Sequence, residues 1–343
     1  MSLIAAKEVE SDNAMSVFLY ALRAPETRRQ YPRRLKMFFD SLKLKGTSME
    51  EQARDFLVKG KESPQWAELS LIRFMAFQKE KATRGEISYS TIGNYYKATK
   101  LFCEMNDLTL GWKKISLGIP TGRKAANDRA PTIEELKKLS EYPDRRIKAI
   151  VYIMSSSGIR LGAWDQLQWK HVTPITNDKD EIIVAKLLIC PSDPEAYYTF
   201  ITPTAYFALK EWIDYRTAHG ERITEESWLM RDLWQTTDMN HGAKFGVLTY
   251  PKQLTSKGIK SLLERAIRAQ RLCKPLPVGI NRREWKGAHG FRKYFHTNTE
   301  QVMLPIHVEM LMGHDTGISM SYYRPTEKNS IGGLSEGCRP TND

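Results

Sequence analysis

Long apolar runs are missing from this chain of 343 residues. No stretch of eighteen consecutive apolar residues occurs, which excludes an ordinary membrane-spanning helix. Cysteine is scarce: Cys103, Cys190, Cys273 and Cys338 lie far apart, so neither a C-x-x-C metal site nor a dense disulfide framework is read. Such spacing fits a reducing cytoplasm. With 21 glycines and 16 prolines the chain is no collagen-like or low-complexity polymer. Met1 to Glu10 shows no apolar core flanked by basic residues, so no secretory signal is read there. Carboxylates do not cluster in the way that holds Mg²⁺, which disfavours a metal nuclease; no metal and no cofactor are expected. What remains, 41% apolar and 27% charged, is an ordinary soluble composition. At about 100–200 residues per domain, two domains are expected.

Charge is the first functional signal. The formal balance is +12, from 52 basic and 40 acidic side chains, and favours a polyanionic partner such as nucleic acid. Twelve Lys or Arg stand against Glu264 and Glu284 between Lys252 and Lys293, and residues 1–130 carry 23 basic against 15 acidic residues. The rest of the chain is net acidic. Two separated basic regions suggest two surfaces gripping one polyanion from both sides.

The chain reads as mainly α with a small antiparallel sheet. Residues 1–117 suggest three or four helices of one small bundle. Tyr31, Leu35, Phe38, Phe39 and Leu42 recur at helical spacing among Arg28, Arg29, Arg33, Arg34 and Lys36. Pro32 should mark a first turn or a kink there. Residues 118–130, with Pro120, Gly122, Arg123, Lys124 and Arg129, lack an apolar period and read as a basic linker. Thr132-Ile133-Glu134-Glu135 reads as a capping box that opens a second domain, 131–328. Within it, a helix through Ile147 and Met154 should stop at Gly158. Ile182 to Ile189 reads as a strand, Pro191 to Pro194 as a turn and Tyr197 to Ile201 as the returning strand. Helices resume at Thr204–His219. Ile259, Leu262, Leu263, Ala266 and Ile267 then share one helical face, with Lys257, Lys260, Arg268 and Arg271 turned the other way.

Four elements of the second domain carry chemistry: Ser157-Gly158-Ile159-Arg160, His289-Gly290-Phe291-Arg292, Leu311-Met312-Gly313-His314, and Tyr322-Tyr323. Singly each has an ordinary reading, as an arginine paired with an acid, a chance H-x-x-R, a helix C-cap or core packing. Their order and spacing weigh more. An arginine precedes H-x-x-R, Gly-His ends twenty-two residues after Arg292, and Tyr323 follows His314 by nine.

In this pattern, over roughly residues 130–325, the chain resembles the tyrosine recombinases, the phage-integrase and Xer group, and looks closest to archaeal integrases. The resemblance implies an N-terminal helical core-binding domain and a tyrosine-recombinase catalytic domain. It implies that Arg160 and Arg292 clamp the scissile phosphate, that His289 and His314 stand beside it, and that Tyr323 is the nucleophile. Lys186, on the strand 182–189, best matches the family's hairpin lysine; Lys179 and Lys170 match less well. The chemistry is coherent. A phenolate attacking a phosphodiester leaves a covalent phosphotyrosine that conserves the bond, so rejoining needs no ATP. Permanently cationic guanidinium forks stabilise the charge that builds on the non-bridging oxygens, without a metal. A lysine can protonate the leaving 5′-oxygen.

The family's acid three residues after the first arginine is Ala163 here, with Asp165 out of register, and Lys293 stands where histidine is common. Gly332, Gly333, Gly337 and Pro340 leave residues 329–343 as a flexible tail rather than a docking helix. The expected function is site-specific DNA recombination or integration. The partner would be double-stranded DNA, bound by a homodimer at each site and a homotetramer at synapsis, with no membrane, in the cytoplasm at the nucleoid. Phosphate contacts are expected from Arg28, Arg29, Arg33, Arg123, Lys124, Lys257, Lys260, Arg268 and Arg271. A type IB topoisomerase-like nicking and closing enzyme, or a non-catalytic DNA-binding relic of the fold, are the alternatives.

Overall fold

A computed structural model describes residues 13–120, 128–193, 195–233, 252–273, 284–285 and 287–315. The chain divides between residues 126 and 127 into two compact units. It is mainly helical, with one three-stranded antiparallel sheet. No helix among the described residues is long and apolar enough to cross a membrane.

The first unit holds six helices among its described residues, more than the three or four expected: α1 (Ala14–Tyr20), α2 (Pro25–Asp40), α3 (Met49–Glu62), α4 (Pro64–Thr83), α5 (Tyr89–Met105) and α6 (Trp112–Leu117). The two shortest, α1 and α6, span too few turns to show a period. The boundary between α3 and α4 falls at Ser63, whose hydroxyl caps α4 while Pro64 takes its first position. Ser48 and Glu51 form a full capping box at α3. Pro32 lies inside α2, which begins seven residues earlier at Pro25. Without an N–H it leaves the Arg28 carbonyl no partner in the helical ladder. The core is aromatic. Phe38 packs edge-to-face on Phe56 and Phe74, at 5.2 and 5.3 Å between centroids, and Phe39 on Phe102 at 5.4 Å.

In the second unit Thr132 and Glu135 close the expected capping box at α7 (Ile133–Ser140). Then α8 (Arg145–Ser157) runs to Gly158, whose φ of +59° ends it in the left-handed region that glycine adopts without penalty. The sheet order is β1-β2-β3, with β1 (Val172–Thr176), β2 (Ile182–Ile189) and β3 (Tyr197–Ile201). The last two match the sequence reading residue for residue. The first was not foreseen, because Pro174 speaks against a strand; it is tolerated because β1 is an edge. The remaining helices are α9 (Pro203–Ala218), α10 (Ser256–Ala269), α11 (Gly287–Thr299) and α12 (Pro305–Leu311).

The apolar face of α10 is as read: Ile259, Leu262, Leu263, Ala266 and Ile267 are buried, and Lys257, Lys260, Arg268 and Arg271 are exposed. Burying each large aliphatic side chain contributes roughly 1.5–3 kcal/mol. Its first turn is held from outside. Asp165, at the end of a 3₁₀ turn (Leu161–Asp165), accepts from the Ser256 backbone N–H at 2.6 Å and its hydroxyl at 2.7 Å. The acid found out of register in the sequence therefore caps the basic helix. Asp165→Ala is expected to cost roughly 1 kcal/mol, read as a lower thermal midpoint; an unchanged midpoint contradicts the cap.

Candidate functional site

Four side chains of α11, His289, Arg292, Lys293 and His296, lie at spacings that put them on one face. With His314 they line an open cleft of about 350 Å³ in the second unit. Three of the residues singled out in the sequence, His289, Arg292 and His314, thus meet across 25 positions of chain.

Arg292 is only 8% exposed. Its Nη1 donates to the Gly158 carbonyl at 2.5 Å, and its Nη2 donates to the Met312 carbonyl at 3.2 Å and to His314 Nε2 at 2.7 Å. Its hydrogen-bond partners are neutral, with no carboxylate among the described ones. Burial first, and then the like charge of Arg160, pull its pKa below the ordinary arginine value. Arg160 follows the glycine stop of α8 and is exposed. Its backbone carbonyl accepts from the Ala163 N–H at 3.0 Å, while among the described residues no acid forms an ion pair with its guanidinium.

His314 owes its place to the end of α12. Gly313, at φ +64°, donates its N–H to the Met310 carbonyl, and the His314 N–H reaches the Glu309 carbonyl at 3.0 Å. This is a Schellman turn. Gly313 also lies against Tyr197, where a Cβ would come within 2.3 Å of the ring. Gly313→Ala is expected to cost at least about 1–2 kcal/mol from the left-handed backbone alone, and to displace His314 or Tyr197. A urea midpoint equal to that of the natural chain would refute it.

Tyr197 and Glu309 escaped the sequence reading. The Tyr197 hydroxyl is shut off from solvent and lies against Arg292, without a hydrogen bond of good geometry among the described residues. Burial raises its pKa, against the pull of Arg292 and Arg160. Glu309 binds His314 and His296 through its two oxygens. Its place five residues before His314, at a glycine helix end, is the signal that could have found it. Lys293 is engaged by Asp128, at 3.2 Å from the carboxylate and also through the backbone carbonyl. Arg129 beside it is forked onto Glu135 at 2.7 Å and also bound to Glu284.

Lys186 is not part of the cleft lining. It sits mid-strand opposite Phe200, its Nζ 4.1 Å from the centre of the Tyr198 ring. Ala163, at the position of the missing acid, is buried. Among the expected phosphate contacts Arg28 is already committed: it donates to the Leu22 and Leu19 carbonyls at the end of α1. Arg29 forks onto Glu26 at the surface. Arg33 is exposed, and Lys260 lies 3.9 Å from Glu264. Tyr322, Tyr323, Arg123, Lys124 and the tail 329–343 lie outside the described residues. Among the described residues no group of three His, Cys, Asp or Glu side chains is placed to hold a metal ion.

No protein-family model and no curated protein matches this sequence. Solved structures do. The Tn1549 transposon integrase in complex with transposon right-end DNA is similar at a TM-score of 0.56 and 15% identity, over 94% of this chain and 99% of that one. The XerH site-specific recombinase bound to a palindromic difH substrate is similar at 0.53 and 19%, over 92% and 93%. A lambda integrase dimer bound to a COC′ core site is similar at 0.53 and 11%, over 89% and 90%. The fold is that of the tyrosine recombinases.

Proposed function

We propose that the chain is a site-specific DNA recombinase that cuts and rejoins strands through a 3′-phosphotyrosine at Tyr323, without metal or ATP. The observation that carries this reading is the pair of arginines. Arg292 is nearly buried and holds the Gly158 carbonyl, two residues before the exposed Arg160; burial first, and then the like charge of Arg160, pull its pKa down. Keeping two guanidiniums together costs free energy that an anion between them would recover. Two carbonyls and His314 take three of the five N–H groups of Arg292, and the Tyr197 hydroxyl lies against the guanidinium, so at most two are left for a phosphate.

In this reading Arg160 and Arg292 stabilise the charge that builds on the scissile phosphate. His289 and His314 hydrogen-bond it from the cleft. Lys186 moves off the Tyr198 ring to protonate the leaving 5′-oxygen. The exposed face of α10, with Lys257, Lys260 and Arg268, and Arg271 just beyond its end meet backbone phosphates, as do Arg33 and the residues Arg123 and Lys124. Affinity then falls steeply with salt. Two copies hold each site and four meet at synapsis.

The test is covalent trapping. The natural chain is incubated in EDTA with nicked suicide duplexes drawn from the flanks of its gene, and the adducted peptide is mapped by mass spectrometry. A phosphotyrosine at Tyr323 supports the proposal. An adduct at Tyr322 moves the nucleophile by one residue and overturns that assignment. Relaxation of supercoiled DNA without sequence preference would make it a topoisomerase. Salt-sensitive binding without any adduct would make it a DNA-binding relic.

A further inference from the structure

We infer that Glu309 is a positioning residue: its carboxylate decides which ring nitrogen of His314 carries the proton, and so holds His314 as an acceptor that aims Arg292. The effect on strand cleavage rests on the recombinase reading; the effect on His314 does not.

The argument is one of donors and acceptors. A guanidinium has donors only. His314 Nε2, at 2.7 Å from Arg292 Nη2, must therefore accept. The proton of a neutral ring then sits on Nδ1, and Nδ1 meets Oε2 of Glu309, which only accepts when ionised. Burial works to raise the Glu309 carboxyl, yet hydrogen bonds from His314 and His296 outweigh it and hold it below the usual range. The charged and titratable groups around Glu309 are His314 after its own helix, His296 on α11 and, behind His314, Arg292. The second ring nitrogen of His296 lies 3.3 Å from Glu300.

The relay is built into the backbone. The Schellman turn that ends α12 ties the His314 N–H to the Glu309 carbonyl, so the two side chains start from one fixed frame. Replacing the carboxylate by a group that cannot accept frees the imidazole to place its proton on Nε2. Two donors would then face each other, and Arg292 would lose the contact that orients it on that side. Carboxylates that fix the tautomer of a metal-bound histidine typically cost about 10–100-fold in activity when removed, and a loss of that order is expected here.

The experiment reads the tautomer and the chemistry separately. Long-range ¹H–¹⁵N spectra of histidine-labelled protein should show His314 as the Nδ1–H form in the natural chain; an Nε2–H form overturns the inference at once. Glu309→Gln keeps a carbonyl acceptor and is expected to retain the tautomer, with adduct formation within about threefold. Glu309→Leu is expected to lose the tautomer and about 10–100-fold of the adduct rate, at unchanged DNA affinity. Equal cleavage by Glu309→Leu and the natural chain overturns the catalytic role. Equal losses in the Gln and Leu variants overturn the tautomer argument. If the tautomer responds as expected but even the natural chain forms no adduct, the positioning role stands and the recombinase reading is what fails.

Discussion

Tyr323→Phe is expected to abolish the covalent protein–DNA adduct, a loss of roughly 10⁴-fold or more, with DNA binding within about twofold of the natural chain. The substitution removes one oxygen. A phenyl ring cannot attack phosphorus, and no other effect of the change approaches that size. The assignment rests on the offset of nine residues from His314, a spacing its neighbour Tyr322 lacks. Tyr197 is the instructive control, because its phenol already lies near Arg292 and Arg160. Burial raises its pKa, so it is poorly suited to become a phenolate. Tyr197→Phe and Tyr322→Phe should therefore both still give an SDS-resistant band on nicked suicide duplexes. Persistence of that band in Tyr323→Phe would sink the assignment.

Glu221→Leu is expected to destabilise the second unit by about 3–5 kcal/mol, a large share of the 5–15 kcal/mol typical of a whole domain. Arg216 and Arg231 are each 1% exposed and share the Glu221 carboxylate. Arg216 takes it as a fork, at 2.5 and 3.0 Å, and spends its third nitrogen on the Trp228 and Leu229 carbonyls. Arg231 pairs with the same carboxylate, and burial, together with Arg216 and Arg146, pulls its pKa down to about 10. Two buried cations thus share the Glu221 carboxylate. Removing the anion leaves their desolvation cost without its compensation. Removing all three charges, as Arg216→Met, Glu221→Leu and Arg231→Met together, should restore most of the loss, because an apolar cluster of similar volume carries no such cost. Urea unfolding followed by far-UV circular dichroism separates the cases. A cost below about 1 kcal/mol for Glu221→Leu would mean that solvent already screens the pair.

The two substitutions act on different links of the same chain of causes. One removes an atom that reacts and leaves the fold alone. The other sits away from the cleft and changes only whether the unit that carries the cleft stays folded. A rate measured on soluble, folded protein distinguishes them, since the second effect disappears when the folded fraction is counted.

What the sequence determined by itself was local. The bounds of β2 and β3, the capping box at Thr132 and Glu135, the stop at Gly158 and the two faces of α10 follow from period, capping chemistry and glycine's freedom at positive φ. The H-x-x-R motif named His289 and Arg292, and α11 then put both on one face. Partners were beyond the reach of the sequence. Arg292 meets the Gly158 carbonyl across 134 positions of chain. Arg28 turned out to be tied to α1, and Lys293 to Asp128 across 165 positions. The offset of Glu309 from the Gly-His helix end hinted at it, but its two histidine partners were set by the turn at Gly313 and by α11, and Tyr197 came into view only when β3 brought its ring against that glycine. Hydrogen bonds and burial are settled by whichever groups the packed chain brings within about 3 Å of each other. A pattern along the chain names the residue types that can do chemistry, and the tertiary structure decides which of them are already spent on holding the fold.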